Sequence, residues 1–299
     1  MKNRLSRILG IASAPLLALG IAGGLLAATA PSSIAPQDAA PQARDRARPR
    51  IQDPGRDQPV VMVFSKTAGF RHGSIPTGIK TMRELGKEYG FRVDATEDPT
   101  WFRPEMLARF DGVVFLNTTG DVLDDEQQRC FESFIKGGAG YVGIHSAADT
   151  EYDWPWYGRL VGAYFKTHPR IQRATINVED RRFPATAFLP ETWSRVDEWY
   201  VYRDNPRPNV KVLLSLDEST YEGGGMDGDH PIAWYQEYDG GRAFYTGGGH
   251  TNEAFGEPLF RKHLGEAVMW SVGRRDVPTT PPTTPPTGAR PKAPASSGR

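Results

Sequence analysis

Between residues 59 and 275 the chain alternates short apolar runs with longer amphipathic stretches. Val60–Phe64, Gly112–Leu116 and Gly140–Ile144 are apolar or glycine runs without alternation. Such runs fit strands buried on both faces, as in a parallel sheet. Residues 91–95 read as a weaker second strand. Ile75, Ile79, Met82 and Leu85 fall at helical spacing, and Gly90 supplies a stop. Residues 123–136 open on acidic side chains, which suit the positive end of a helix, and close at Gly137 and Gly138. Met106 and Leu107 fit a short helix. Repeated β-α-β units predict an α/β fold: a parallel sheet, helices on both faces and right-handed crossovers. The second half changes character. Residues 174–178, 210–214, 232–236 and 242–245 read as short strands separated by turns, some extending the sheet and others forming a smaller antiparallel patch. A helix over 259–272 closes the domain.

Polar groups gather just past the apolar runs. Ser65, Lys66, Thr67, Arg71 and His72 follow the first run, and Asn117, Thr118, Thr119 and Asp121 follow the third. His145, Ser146, Asp149 and Glu151 follow the fourth. Three glycines, His250 and Thr251 follow the last. In a parallel sheet these ends face one way, and the crevice beyond them binds ligands. Each group alone has a simpler explanation. His145 fits a satisfied histidine at a strand end, Ser74 next to His72 fits a helix N-cap, and Gly247 to Gly249 fit a tight turn. Three glycines also let the backbone approach a ligand closely.

Other residues divide similarly. Glu198 sits among Val196, Trp199 and Tyr200; if buried, its pKa rises towards the range useful for proton transfer. His168 and His230 each precede proline, which favours extended or turn geometry. His168 reads as structural, while His230 stays open. His263, in the last helix, reads as a surface or packing residue. Trp154, Trp156, Tyr157, Tyr164 and Phe165, with Trp193, Trp199, Tyr200 and Tyr202, offer rings that serve equally as sugar platforms or as core. Cys130 lies mid-helix beside Phe131, Phe134 and Ile135, a packing position without the electropositive setting of a reactive thiol.

Charge and composition narrow the partners. Lys plus Arg balance Asp plus Glu at 36 each, which gives no reason to expect nucleic acid. One cysteine leaves no intrachain disulfide and no cysteine-based metal site. Lys2, Arg4 and Arg7 precede an apolar stretch over 8–30 that ends in Ala28, Thr29 and Ala30, a secretory signal pattern. The expectation is an exported protein, secreted or in the cell envelope, touching a membrane only if this segment stays uncleaved as an anchor. Residues 31–58 read as a disordered linker and 276–299 as a disordered Pro/Thr-rich tail. The folded domain is expected at 59–275.

Five segments together resemble the ThuA-like (trehalose utilisation) family, in order over about 59 to 273. They are Lys66-Thr67-Ala68-Gly69-Phe70-Arg71-His72, Phe115-Leu116-Asn117-Thr118-Thr119-Gly120-Asp121, Gly143-Ile144-His145-Ser146-Ala147-Ala148-Asp149 running on to Tyr157, Asp229-His230-Pro231, and Tyr245-Thr246-Gly247-Gly248-Gly249-His250-Thr251. The resemblance implies a flavodoxin-like three-layer sandwich with a mostly parallel sheet, within the class I glutamine amidotransferase-like superfamily. That superfamily carries a Gly-x-Cys-x-Gly nucleophile elbow after the fourth strand. Here His145 stands at the cysteine position, so glutaminase activity is not expected. The resemblance also implies a role in disaccharide metabolism, including oxidised (keto) sugars.

Three functions are compatible with these residues. The first is a carbohydrate isomerase, lyase or hydrolase without a cysteine nucleophile. His145 and His250 would be its acid and base, oriented by Asp149 or Glu198, with His72, Lys66, Asn117, Asp121, Glu151 and Trp154 binding the sugar. The second makes the cluster a site for a divalent metal such as zinc, held by two or three of His72, His145 and His250 plus a carboxylate. The third is a non-catalytic envelope protein that binds glycans through the aromatic crevice. A small carbohydrate is the expected partner throughout, and a homodimer is compatible with all three.

Overall fold

The computed structural model describes residues 57–278. The expected signal segment, and all but the inner ends of the expected linker and tail, lie outside the described residues. Among those described, no helix is long and apolar enough to cross a membrane. In chain order the elements are β1 (Val60–Phe64), α1 (Ile75–Tyr89), β2 (Arg92–Thr96), α2 (Pro104–Leu107), β3 (Gly112–Leu116), α3 (Asp125–Lys136), β4 (Gly140–Ile144) and α4 (Pro155–Val161). There follow β5 (Phe165–Thr167), β6 (Gln172–Val178), β7 (Thr192–Asp197), β8 (Val201–Tyr202), β9 (Lys211–Asp217), β10 (His230–Tyr238), β11 (Gly241–Thr246) and α5 (Pro258–Ser271).

Nine strands form one sheet in the order β2-β1-β3-β4-β11-β10-β9-β6-β7, while β5 and β8 pair separately. The first five are parallel, in the order of a flavodoxin-like sheet. The other four extend it antiparallel. Neighbouring residues of β3 show the two faces. Phe115 packs its ring on Phe131 of α3 and Tyr157 of α4, whereas Leu116 points at Gly78 of α1. Helices α1 and α5 pack together on that second face. The result is a three-layer α/β sandwich, as the repeated β-α-β pattern predicts.

Local chemistry sets the ends of the elements. Gly90, at φ +79°, closes α1 in the left-handed conformation and donates its N–H to Gly86. Helix α3 starts two residues later than the acidic run suggests. Asp124 accepts from the backbone of Glu126 and Gln127, and Gln127 reaches back to the Asp124 N–H. Ser74 occupies the N-cap of α1, but its hydroxyl does not cap the helix; it donates instead to the Gly249 carbonyl. Helix α4 and strands β5, β7 and β8 carry weak signals and are absent from the pattern-based reading. Strand β7 alternates exposed and buried positions, but two of its three inward residues are Arg195 and Asp197. A charged inward face hides a strand from hydrophobic periodicity.

Candidate functional site

Four titratable side chains converge beyond the carboxyl ends of the parallel strands. His72 comes from the loop after β1, His145 from the first position after β4, His250 from the loop after β11, and Glu198 from the end of β7. One ring nitrogen or carboxylate oxygen of each lies within 4.8 Å of the others. Three of these atoms form a tighter triangle. His145 Nε2 is 3.2 Å from His250 Nδ1 and 3.3 Å from Glu198 Oε2, and the third side is 3.0 Å. The other oxygen, Glu198 Oε1, is 3.1 Å from Nδ1 of His168 at the rim.

The backbone aims these groups deliberately. His145 has φ +50° and Asn117, at the same place after β3, has φ +51°. Such left-handed turns are uncommon outside glycine and concentrate at functional sites. His145 Nδ1 donates to the Gly247 carbonyl at 2.9 Å, which leaves its Nε2 as a lone pair facing the triangle. Tyr200 lies against the same ring at 4.1 Å between centroids. The glycine run after β11 is fixed from β7. Asp197 accepts from the N–H groups of Gly249 at 2.8 Å and His250 at 3.1 Å. Gly248 lies against the Arg195 guanidinium, with no room for a Cβ. Arg195 is buried over the rings of Phe260 and Trp193 and pairs with Asp197 and Glu257. Asn117 donates to Ser74 and to the Gly249 carbonyl, tying the His72 and His250 loops together.

The electrostatics follow from crowding of mostly buried groups. Burial pushes the His72 pKa down to about 3, and His145 and His250 nearby push the same way, so this ring stays neutral. Burial also opposes a proton on His250, but the hydrogen bond and charge of Glu198 outweigh it and raise the pKa. For Glu198 burial alone would raise the pKa. The close imidazoles of His145 and His250 prevail and hold the carboxyl well below the usual range. Asp149 is raised, mainly by burial, and accepts a hydrogen bond from Tyr152.

The remaining candidates have other duties. Glu151 is buried and accepts the N–H groups of Val122 and Leu123 and the amide of Gln128, anchoring the start of α3 rather than a sugar. Trp154 stacks on Trp156 in the layer beside α3 and donates to Glu132, so it belongs to the core. Lys66 donates to the Val122 carbonyl, and Asn117 spends its amide N–H groups on joining loops while its buried Oδ1 has no partner among the described contacts. Asp121 is exposed. Cys130 is half-buried and its thiol is pushed up by burial, consistent with packing. His263 is buried, not on the surface, and donates to the Ala185 carbonyl. His168 is not merely a turn residue, because it pairs with Glu198. Asp197 was not singled out from sequence, and Tyr200 was read only as one of the aromatic rings; the adjacent acids Asp197-Glu198 before Trp199 were the signal.

A three-layer α/β protein with an ionisable crevice at the carboxyl ends of its parallel strands is the class defined so far. The chain belongs to the ThuA family, described as trehalose utilisation, whose model matches residues 60–271. That membership ties it to sugar metabolism. It is similar to the crystal structure of a ThuA-like protein from Bacteroides uniformis, at 23% identity and a TM-score of 0.61, covering 72% of this chain and 93% of that one. It is also similar to one from Parabacteroides merdae, at 20% identity and a TM-score of 0.63, covering 75% and 94%. Among curated proteins none matches.

Proposed function

We propose that this protein is an enzyme of sugar metabolism that moves protons on a sugar or keto-sugar held at the His72/His145/His250/Glu198 nest. The observation that carries the reading is Glu198 Oε2 within 3.3 Å of both His145 Nε2 and His250 Nδ1. Burying a carboxylate costs several kcal/mol even after relaxation, and packing alone would favour apolar groups there. With Nδ1 of His145 committed to Gly247, His250 Nδ1 is the group that carries a proton between two acceptors. Glu198 stabilises that proton, and His250 gives it to, or takes it from, the bound sugar. A half-buried imidazole near neutral pH suits this role in isomerisation or elimination beside a carbonyl.

Neutral His72 is placed to hydrogen-bond a hydroxyl. Phe70, 67% exposed and edge-on to His72, offers an apolar platform for the sugar ring. The absence of a cysteine after β4 removes thiol acyl transfer. Export remains part of the proposal on the strength of the N-terminal pattern. The test is a screen of disaccharides and their keto derivatives with wild-type protein and His250→Gln. Turnover by the wild type that the variant loses, with melting unchanged, supports the reading. Binding without turnover would make the site a receptor for glycans instead.

A further inference from the structure

We propose that the nest is a binding site for one divalent first-row metal ion of the zinc type, held by His145 Nε2, His250 Nδ1 and Glu198 Oε2. The inference rests on the nest being the reactive centre. The positive charge among its three acceptors then belongs to a cation, not to a proton. Geometry is the first support. Donors held about 2.1 Å from one ion, at roughly 90–110° to each other, stand about 3.0–3.4 Å apart. The observed edges are 3.0, 3.2 and 3.3 Å.

Hydrogen-bond accounting is the second support. With His145 Nδ1 donating to Gly247, its Nε2 and Glu198 Oε2 face each other as two acceptors at 3.3 Å. One proton on His250 must serve both, whereas a central cation satisfies all three at once. The surrounding groups also match what metal ligands require. A ligating imidazole characteristically gives its other N–H to a backbone carbonyl, and ligating carboxylates are themselves hydrogen-bonded. Here the first role falls to Gly247 for His145, while Asp197 fixes the His250 backbone and His168 Nδ1, which donates to the Pro169 carbonyl, lies 3.1 Å from Glu198 Oε1.

Two histidines and one glutamate with a further position open is a donor set of catalytic, not structural, metal sites. His72, with a ring nitrogen within 4.8 Å of the other donors, flanks this set, and a bound ion would supply polarisation of a sugar oxygen there. With the ion bound, His250 is a ligand rather than a proton carrier.

The experiment uses the full untagged chain, stripped with chelator and titrated with Zn2+ by calorimetry and with Co2+ by visible absorption. The expected result is one ion per chain, intense Co2+ bands of low coordination number, and binding weakened more than about 100-fold in both His145→Asn and Glu198→Gln. That loss exceeds what a supporting residue alone contributes. Unchanged melting of Glu198→Gln in the absence of metal excludes unfolding as the cause. Failure of the wild type to bind, or equal binding by the variants, overturns the inference. If the stripped protein then still turns over sugar, the proposed function stands without the metal. Binding with no turnover of any sugar keeps the metal site and removes the proton-transfer reading.

Discussion

The antiparallel half of the molecule supplies a glutamate to the three-histidine nest and another to a single buried histidine, His230, and the two sites are built on opposite principles. Glu218 accepts the N–H groups of Gly225, Met226 and Gly228 and pairs with buried His230. His230 in turn gives Nε2 to the Tyr200 carbonyl and meets the Tyr221 hydroxyl. The backbone donors hold the Glu218 carboxyl below its usual pKa even though burial would raise it. Every charge there has a donor from the chain, and the product is a pinned glycine-rich loop. Glu198 receives no backbone N–H among the described contacts and is surrounded by imidazoles alone. Self-satisfied polar clusters hold structure, whereas one that lacks a proton or an ion of its own waits for chemistry.

The largest expected difference separates these two acids. Glu198→Gln should lower kcat/KM on the sugar substrate by about 10²–10⁴-fold with little change in melting, as loss of an acid–base group does. Glu218→Gln should leave most of the turnover and cost about 1–3 kcal/mol of stability, because an amide NH2 replaces one of the two oxygens that accept backbone N–H groups. Steady-state kinetics with thermal melting of both variants checks the pair.

Next in size come two core changes, one from each half of the sheet. Asp197→Ala strands buried Arg195 and the N–H groups of Gly249 and His250, and should cost about 3–5 kcal/mol. It should lower turnover as well, because the His250 loop is released. Phe115→Ala, in the parallel half, should cost a comparable 3–5 kcal/mol or so through its cavity, without a separate loss in kcat once folded. Chemical denaturation alongside kinetics distinguishes them.

Acid gives a smaller effect. Burial lowers the His263 pKa to about 4, with Nδ1 spent on Ala185 and Nε2 buried without a partner. The unfolded chain therefore takes up this proton first. The stability it contributes is complete above about pH 6.5 and is lost as pH falls towards 4, by about 3 kcal/mol. His72 acts in the same direction. His263→Phe should flatten that part of the melting-against-pH curve. Smallest is Arg71→Ala, which breaks an exposed pair with Glu97 and should cost less than about 1 kcal/mol.

The parallel half was legible because its inner strands β1, β3 and β4 are uniformly apolar and end abruptly. Those abrupt ends at His72, Asn117, His145 and His250 pointed to one rim of the sheet. The antiparallel half was not, for physical reasons. Strand β7 buries Arg195 and Asp197, so its inward face looks polar, and the pairing of His168 with Glu198 depends on a turn that no local period encodes. Glu151 and Trp154 misled in the opposite way. They follow a site strand in sequence, but the turn at Glu151, φ +57°, sends them to α3 and the aromatic layer beside it.

The measurement that bears most directly on the account is turnover of keto-disaccharides by wild type, Glu198→Gln and Glu218→Gln in one assay, each checked for folding. The account predicts activity in the wild type and in Glu218→Gln and its loss in a folded Glu198→Gln. Equal activity in a folded Glu198→Gln would contradict it.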